Sequence, residues 1–177
     1  MILGLTKVSA GSIEIREGSK IGYSPETPYF PPFLTAMEVM SYYAGLGGDK
    51  AQKDKTYLKG LLELAGLEDD KTKVKNFSKG MIQRLALAQA LIEDPDVMIL
   101  DEPTASMDAI GAAELMQIFK EAAKEKCLIL IGHTAAVLTV CDRVIILKEG
   151  RVQAEGAPDA IDHPFLTAFR SRKKVAE

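Results

Sequence analysis

The 177-residue sequence has no tryptophan, only two cysteines and no apolar run near the roughly 20 residues that a membrane-spanning helix requires. Cys127 and Cys141 lie in separate apolar stretches, without a CxxC pair or a histidine at metal-ligand spacing. We therefore expect two buried free thiols and a reducing compartment. The sequence also has no stretch that resembles a secretory signal. We expect a cytoplasmic chain that reaches a membrane only through a partner.

An excess of positive charge is also absent, because 22 basic residues stand against 25 acidic ones and the net charge is −3. This balance gives no electrostatic reason to expect nucleic acid or anionic lipid as a partner. What is present is an ordinary globular composition, with 47% hydrophobic and 27% charged residues. At this length the chain can bury a core as one domain, without metal or disulfide support.

The first 34 residues carry signals for a helix end and two short strands. The apolar segment Met1–Leu5 predicts the last turn of a helix, and the alternation in Ser12–Arg16 predicts a half-buried strand. Lys20–Ser24 predicts a second strand, which Pro25 ends. Further prolines favour an extended loop after it.

Residues 35–94 contain three helical patterns and no good strand. The patterns cover residues 35–46, 51–65 and 78–94. Thr35 and Glu38 form a capping-box signature at the start of the first helix. Gly66 ends the second helix, and Ser78 is the N-cap of the third. This part of the chain is therefore predicted to be all-helical.

After residue 94 the pattern changes to short apolar strands that alternate with helices, which predicts an α/β layer with a mostly parallel sheet. Strands are predicted at 96–100, 127–131, 143–147 and 151–155. Helices are predicted at 109–124 and, as a short one, at 135–141. The chain is thus predicted to hold a helical insert within an α/β core.

Two adjacent carboxylates, Asp101 and Glu102, follow the predicted strand at 96–100. Ligands bind at the carboxyl edge of a parallel sheet, so this position presents acid groups to a site. One carboxylate can hold Mg²⁺, directly or through water, while the other polarises an attacking water. Taken alone, the pattern fits an acidic turn after a strand equally well.

Further polar residues stand before and after this acid pair. Ser78, Lys79 and Gly80 begin the third helix, where a hydroxyl, free N–H groups and the positive dipole end make a phosphate-binding geometry. An ordinary N-cap is the other interpretation, and by itself the better one. His133 follows the next strand at the same sheet edge as the acid pair. A lone histidine in such a place is more often structural.

Taken together, five sequence features resemble the ATP-binding cassette of ABC transporters. They are Tyr-x-Pro-Glu, Phe-Ser-Lys-Gly-Met-x-Gln-Arg, Val-Met-Ile-Leu-Asp-Glu-Pro-Thr, Ala-Ser-Met-Asp and Gly-His, in this order along essentially the whole chain. The combination is specific, although no single feature is. The Ser-Lys-Gly-Met and Pro-Glu variants are similar to the branch that serves exporters of the ABC-2 type.

The resemblance implies a fold, which is a P-loop NTPase-like ABC ATPase core with an inserted all-helical subdomain. The core is a mostly parallel sheet flanked by helices. The chain would then consist of a remnant of the N-terminal core with the Q-loop, the signature subdomain, the core with the acid pair, and a C-terminal tail. Their expected limits are 1–34, 35–94, 95–157 and 158–177. ATP and Mg²⁺ are the implied cofactors.

The family motifs also imply a role for each matching residue around the nucleotide. Asp101 matches the acid that coordinates Mg²⁺ through water, and Glu102 matches the general base that orients the attacking water. His133 matches the switch histidine that contacts the γ-phosphate. Glu26 stands at the Q-loop position, where glutamine is usual, and as a carboxylate it could meet Mg²⁺ or water.

Other matches imply contacts across a dimer. Ser78, Lys79 and Gly80 match the signature loop, which reaches the nucleotide bound by a second nucleotide-binding domain. Asp108 ends the D-loop, which crosses the dimer interface. Residues 33–46 would lie near the surface that docks the transmembrane permease subunits. The resemblance thus implies a homo- or heterodimer at the inner face of the plasma membrane, which drives transport by its membrane partners.

One motif of the family, the phosphate-binding Gly-x-x-x-x-Gly-Lys-Ser/Thr, is missing from the 177 residues. In the family it precedes a segment like Met1–Leu5, so we expect an N-terminally truncated cassette without the first strand and the P-loop. The acid pair then opposes a polyanion with no lysine or N–H cradle to offset it. The chain alone should therefore bind ATP weakly. The loss of a strand should also expose apolar surface.

Two rival functions stay open. A non-catalytic scaffold or regulator would have kept the fold and lost nucleotide binding, but a scaffold has no physical need for Asp101, Glu102 and His133. A soluble ABC ATPase outside transport is the other rival. Such proteins typically carry coiled-coil insertions or tandem cassettes, and this sequence has no long heptads. The single cassette with its compact helical insert favours transport.

Overall fold

The computed structural model describes residues 2–47, 54–105, 107–122, 124, 126–134, 137–138, 140–164 and 166. Its strands are β1 (Ile21–Ser24), β2 (Val97–Asp101), β3 (Cys127–Ile131), β4 (Val144–Lys148) and β5 (Arg151–Gly156). Its helices are α1 (Ala36–Leu46), α2 (Lys55–Leu64), α3 (Lys79–Ala90) and α4 (Ala109–Ala122). Within these described ranges, no helix is long and apolar enough to cross a bilayer. The chain divides into two compact units, Met1–Gly132 and His133–Glu177.

The first unit is built on a three-stranded parallel sheet in the order β1-β2-β3. The middle strand, β2, pairs in register with β1 on one side and β3 on the other. Its residues 98–100 are buried, which explains why its sequence is continuously apolar rather than alternating. The predicted strand at 96–100 is thus confirmed with bounds shifted by one residue.

The third helix approaches β1 very closely at its C-terminal end. A Cβ atom at Gly22 would lie 2.3 Å from the carbonyl oxygen of Ala90 and 3.0 Å from Cγ of Pro95. Only a residue without a side chain allows this approach. The end of α3 is therefore held directly against the strand that leads into the loop around residue 26.

The predicted helices between residues 35 and 94 are present, and their starts follow the expected capping. Thr35 N–H donates to Glu38 Oε2 at 2.7 Å, and Glu38 N–H donates to Thr35 Oγ1 at 3.2 Å, which is a capping box. Asp54 is the N-cap of α2, and its Oδ1 accepts a hydrogen bond from Thr56 N–H at 2.8 Å. The expected start of this helix at 51–53 lies outside the described residues. Gly66, with a φ of 71°, ends it.

The buried faces of these helices pack on one another and form a small core. Contacts join α1 to α2, α2 to α3 and α1 to α3. Fully buried side chains on the three helices include Val39, Met40, Leu58, Leu62 and Leu85. Burial of this apolar stripe, rather than helix propensity, is what stabilises helices of this length.

The second unit contains the antiparallel hairpin of β4 and β5. Glu149 and Gly150 connect the strands with φ values of 52° and 72°, the left-handed pair that a tight hairpin turn requires. Both predicted strands and the turn are therefore confirmed. The predicted short helix at 135–141 falls partly outside the described residues.

Two predictions for the first twenty residues are wrong. Residues 2–6 form turns and bends, with Gly4 at a φ of 71°, instead of the end of a helix. Residues 12–16 pair with no strand in the described part of the chain, and Ile13 and Ile15 are exposed. Alternation gives a stable strand only where a neighbour supplies hydrogen bonds and a face to bury.

The prediction of two buried thiols is also wrong. Cys127 is exposed, because β3 bonds only to β2 among the described residues and is an edge strand of the sheet. Ile131, at the other end of β3, is 48% exposed. Cys141 is half-buried and donates from Sγ to the Val137 carbonyl oxygen at 3.0 Å. Burial, followed by the charge of the adjacent Asp142, raises the pKa of this thiol.

Candidate functional site

The carboxyl ends of β1, β2 and β3 lie side by side, because the three strands are parallel and in register. Ser24 ends β1, and Glu26 follows two residues later. Asp101 ends β2 opposite Ile131, the last residue of β3, and Glu102 follows it. The fold thus brings three carboxylate residues to one edge of the sheet, which is the edge where ligands bind in α/β proteins.

Glu102 adopts a backbone conformation that is uncommon for glutamate. Its φ is 45°, in the left-handed region that costs a non-glycine residue about 1–2 kcal/mol. Two backbone bonds hold it there: Glu102 N–H donates to the Ile131 carbonyl oxygen at 2.8 Å, and Ala105 N–H donates to the Glu102 carbonyl oxygen at 3.1 Å. Such enforced conformations cluster at functional sites, where they aim a particular side chain.

The helix α3 begins with an exposed polar turn. Ser78 is its N-cap, and Ser78 Oγ accepts a bond from Met81 N–H at 3.2 Å. Ser78 and Lys79 are exposed, and Gly80 is half-buried. The first N–H groups of a helix have no partner within the helix, and they carry its positive dipole end. The turn can therefore bind an anion such as a phosphate.

This turn meets the loop that follows the acid pair. A Cβ atom at Gly80 would lie 3.5 Å from Cε of Met107 and 3.8 Å from Oγ of Ser78. The fold therefore places the start of α3 and the residues before α4 next to one another within the same unit. The side chain of Ser106, which belongs to this loop, lies outside the described residues.

Asp108 is exposed and caps the N-terminal end of α4. Its Oδ1 accepts a bond from Gly111 N–H at 2.8 Å, and its carbonyl oxygen accepts from Ala112 N–H at 2.9 Å. A contact across a dimer is a second role, which stays a prediction for this residue. Its first role is local, because the cap fixes where the loop ends and the helix begins.

Sequence reasoning missed a contact between α3 and the loop that contains Glu26. Gln83 is buried, with 6% of its surface exposed, and its Nε2 donates to the Glu26 carbonyl oxygen at 3.0 Å. The signal in the sequence is a polar residue within an otherwise apolar helix face, inside the Phe-Ser-Lys-Gly-Met-x-Gln-Arg feature. That signal does not identify the partner, which lies 57 positions away in the chain.

His133 is the first residue of the second unit and is exposed. It follows Gly132, so it stands two positions after the end of β3 along the chain. This position after a parallel strand is the reason why the sequence suggests a role at the sheet edge.

The described residues do not include three His, Cys, Asp or Glu side chains that gather into a metal site of their own. Mg²⁺ does not require such a cluster, since it keeps several waters and binds through one or two carboxylates and substrate phosphates. Asp101 and Glu102 are half-exposed at the sheet edge and offer that kind of incomplete coordination. The residues present therefore fit a magnesium ion that arrives with a phosphate ligand.

Comparisons with known proteins show the family to which this chain is similar. A protein-family model described as ABC transporter matches residues 1–105, more than half of the chain. The ABC transporter ATP-binding protein YxlF of Bacillus subtilis, described as uncharacterized, is 33% identical over 163 residues, which cover 88% of this chain and 55% of YxlF. The Nod factor export ATP-binding protein I of Burkholderia lata is 35% identical over 175 residues, covering 91% of this chain and 57% of that protein. The chain thus spans about half the length of the curated relatives it matches.

Solved structures show the same fold. The dimeric ATP-binding cassette MJ0796, in a post-hydrolysis state with ADP and Pi, superposes with a TM-score of 0.67 at 28% identity, covering 78% of this chain and 63% of that chain. An inward-facing metal-chelate type ABC transporter gives a TM-score of 0.79 over 96% of this chain and 71% of its own. At 18% identity it supports the fold alone. Family, relatives and fold agree, and the chain belongs to the ABC transporter family as an ATP-binding domain.

Proposed function

We propose that this chain is the nucleotide-binding part of an ABC transporter subunit, which couples ATP binding and hydrolysis to transport by membrane partner subunits. The observation that carries the proposal is the acid pair at the end of β2, with Glu102 held at a φ of 45° beside the end of β3. A buried strand that delivers two carboxylates to a ligand-binding edge suits phosphoryl transfer to water.

Each candidate residue has a distinct proposed task. Asp101 would hold Mg²⁺ through water. Glu102 accepts the proton of the attacking water as the water oxygen bonds to the γ-phosphorus and the bond from that phosphorus to the oxygen of the departing ADP breaks. Glu26 offers a second oxygen ligand toward Mg²⁺ or water from the end of β1. His133 donates to the γ-phosphate, where the negative charge of the transition state is spread.

The turn at Ser78, Lys79 and Gly80 serves a different nucleotide. It is an exposed helix N-terminus, so its N–H groups and the Ser78 hydroxyl are open to a phosphate that another molecule brings. We propose that this nucleotide is held by a second nucleotide-binding domain, identical or related to this one. Asp108, on the neighbouring loop, crosses the same interface. The dimeric state described for the cassette MJ0796 supports this arrangement.

The proposed membrane partners are transmembrane permease subunits, which place the domain at the inner face of the plasma membrane. The relative described as a Nod factor export ATP-binding protein supports export as the direction of transport. With a net charge of −3, the chain has no general attraction for nucleic acid, and none is proposed.

The 177 residues alone are proposed to bind ATP weakly and to turn it over negligibly. They contain no Gly-x-x-x-x-Gly-Lys-Ser/Thr run, so they supply neither a lysine on the β- and γ-phosphates nor a loop of N–H groups around them. Carboxylates without that positive counterpart repel a nucleotide triphosphate, and Mg²⁺ offsets only part of the repulsion.

The proposal is tested by hydrolysis measured with a complete site. A P-loop-bearing segment from another ABC cassette is joined ahead of Met1, and ATP turnover is measured with and without Glu102→Gln. Loss of a general base should lower kcat by about 100- to 10,000-fold. Glu68→Gln is the matched control, because it makes the same chemical change at an exposed loop residue that follows α2.

The outcome separates the proposed base from a structural carboxylate. Turnover that falls with Glu102→Gln and persists with Glu68→Gln supports the assignment. Turnover that is unchanged in the Glu102→Gln protein would remove Glu102 from the chemistry and with it the central observation of the proposal.

A further inference from the structure

The methionines in the described part of the chain differ in their exposure to solvent. Met40, Met98 and Met116 are fully buried, whereas Met37, Met81 and Met107 are half-buried. A thioether that solvent reaches is open to oxidation by a peroxide, which converts it to a sulfoxide. Exposure therefore selects three methionines as candidate sites of this modification, and the packing of Met107 gives its oxidation a consequence.

The methyl end of Met107 lies against the first turn of α3. Its Cε is 3.5 Å from the position that a Cβ atom at Gly80 would occupy, and Ser78 Oγ is 3.8 Å from the same position. The backbone on both sides of Met107 is held, because its N–H donates to the Thr104 carbonyl oxygen at 3.2 Å and Asp108 caps α4. The loop therefore keeps this side chain at the turn.

The same turn has N–H groups that the helix itself does not use. Met81 N–H donates to Ser78 Oγ at 3.2 Å. The N–H groups of Lys79 and Gly80 precede it and have no such partner among the described residues. These are donors that the proposed function gives to a phosphate. The thioether of Met107 is only a weak acceptor, so the unmodified side chain does not compete for them.

We propose that Met107 is an oxidation site whose sulfoxide closes the Ser78 turn to phosphate. The sulfur attacks one oxygen of hydrogen peroxide, the O–O bond breaks, and the sulfoxide and water are formed; sulfur is oxidised and the peroxide is reduced. The new polar oxygen accepts from the N–H groups of Lys79 and Gly80 in place of a phosphate oxygen. Methionine sulfoxide reductases reverse the change.

The effect on turnover rests on the proposed function of the turn, but the oxidation and its effect on the two N–H groups do not. The test therefore begins with the full chain without nucleotide, carrying Cys127→Ser and Cys141→Ala so that no thiol reacts. The isotope-labelled protein is treated with dilute hydrogen peroxide. Peptide mass spectrometry measures sulfoxide at each methionine, and NMR follows the amide signals of Lys79 and Gly80.

Two variants separate Met107 from the other exposed thioethers. Met107→Leu removes the sulfur at a similar side-chain volume, and Met37→Leu makes the same change at a half-buried methionine of α1. We expect Met107 to be oxidised about tenfold faster than Met98, because susceptibility follows exposure. The two amide signals should shift in the oxidised parent and in oxidised Met37→Leu, and return after treatment with the reductases. Most of this shift should be absent from oxidised Met107→Leu.

The inference is overturned if Met107 is oxidised no faster than Met98, or if the two amide signals shift equally in oxidised Met107→Leu. It is also overturned if the oxidised parent shows no shift. Should Met107→Leu fail to fold, the parent decides by itself. Its amide signals must then return in step with the loss of sulfoxide at Met107, and signals that do not return contradict the inference.

ATP turnover gives a second readout, in the chain joined to the P-loop-bearing segment. Oxidation should lower turnover about two- to tenfold, as the loss of one hydrogen bond does, and have little effect in Met107→Leu. Each protein is compared with its own untreated sample. Equal losses in the two proteins would overturn the proposed effect on phosphate. If the untreated protein does not hydrolyse ATP, the proposed function fails at Glu102, and the amide signals still decide the role of Met107.

Discussion

At the scale of single residues, Glu102 has a positive φ, against the backbone preference of a glutamate. Among the described residues, three that are not glycine have a positive φ: Asp94, Glu102 and Glu149. Glu149 lies in a hairpin turn that requires this conformation, and aspartate tolerates it because its short side chain bonds locally. Glu102 has neither reason, which makes the function of its side chain the best explanation.

Glu38 gives a prediction about pH. Its carboxylate accepts from Thr35 N–H at 2.7 Å and from Lys73 Nζ at 3.0 Å. These two bonds, that of the Thr35 backbone first and that of the Lys73 side chain second, lower the pKa of Glu38. Because the pKa of Glu38 is lower in the folded protein than in the unfolded chain, its charge stabilises the fold at pH values above its unfolded-state pKa. This stabilisation is lost as the pH falls through its folded-state pKa.

Urea unfolding of the parent protein and of Glu38→Gln measures this effect. Glutamine keeps the capping geometry and removes the charge. The parent should be the more stable protein at neutral pH, and the difference should vanish on acidification. Glu68→Gln corrects for the general loss of a carboxylate at an exposed site. A difference that persists at the lowest pH would show that the charge of Glu38 is not involved.

At the scale of elements, the sequence predicts what is local and misses what depends on a distant partner. The first helix is found at its correct limits because Thr35 and Glu38 are three residues apart and cap it without help. The segment 12–16 has a strand pattern but no neighbour to pair with in the described structure. The predicted burial of the Cys127 thiol, on β3, was wrong for a similar reason, because an apolar sequence does not reveal whether a strand lies at an edge.

The candidate site divides in the same way. The acid pair and the Ser78 turn can be predicted from the sequence, because strand ends and helix starts are local features. The hydrogen bond from Gln83 to Glu26 cannot be predicted from the sequence, because it depends on how α3 packs against β1.

Gly22 tests that packing at the level of elements. The Cβ of Gly22→Ala would meet the Ala90 carbonyl oxygen at 2.3 Å, and a backbone atom in a helix cannot move aside cheaply. We expect a loss of about 1–3 kcal/mol in the free energy of unfolding, as for other overpacked sites. Equilibrium denaturation measures it.

Gly45→Ala is the matched control, with the opposite expected sign. Gly45 lies in α1, where a Cβ would meet nothing within 4 Å. The substitution should stabilise the protein by about 0.5–1 kcal/mol, the difference in helix propensity. Equal effects at the two glycines would contradict the close approach of α3 to β1.

At the scale of the whole molecule, the chain belongs to the ABC transporter family as an ATP-binding domain and spans about half the length of its curated relatives. The acid pair, Glu26 and the Ser78 turn belong to the first unit, and His133 opens the second. The ends of β1 and β2 carry the carboxylates of Glu26, Asp101 and Glu102, and the proposed ligand is itself a polyanion. We therefore predict that the affinity for ATP depends on a phosphate cradle that these 177 residues do not contain.

Equilibrium binding of Mg-ATP tests this claim most directly. It is measured with Glu102→Gln in place to block turnover, first on the 177-residue chain and then on the same chain joined to a P-loop-bearing segment. Circular dichroism establishes that both proteins are folded. We predict no detectable binding to the chain alone and binding in the micromolar range once the segment is present. Micromolar binding by the chain alone would contradict the account, because the sheet edge and the Ser78 turn would then hold the phosphates without a P-loop.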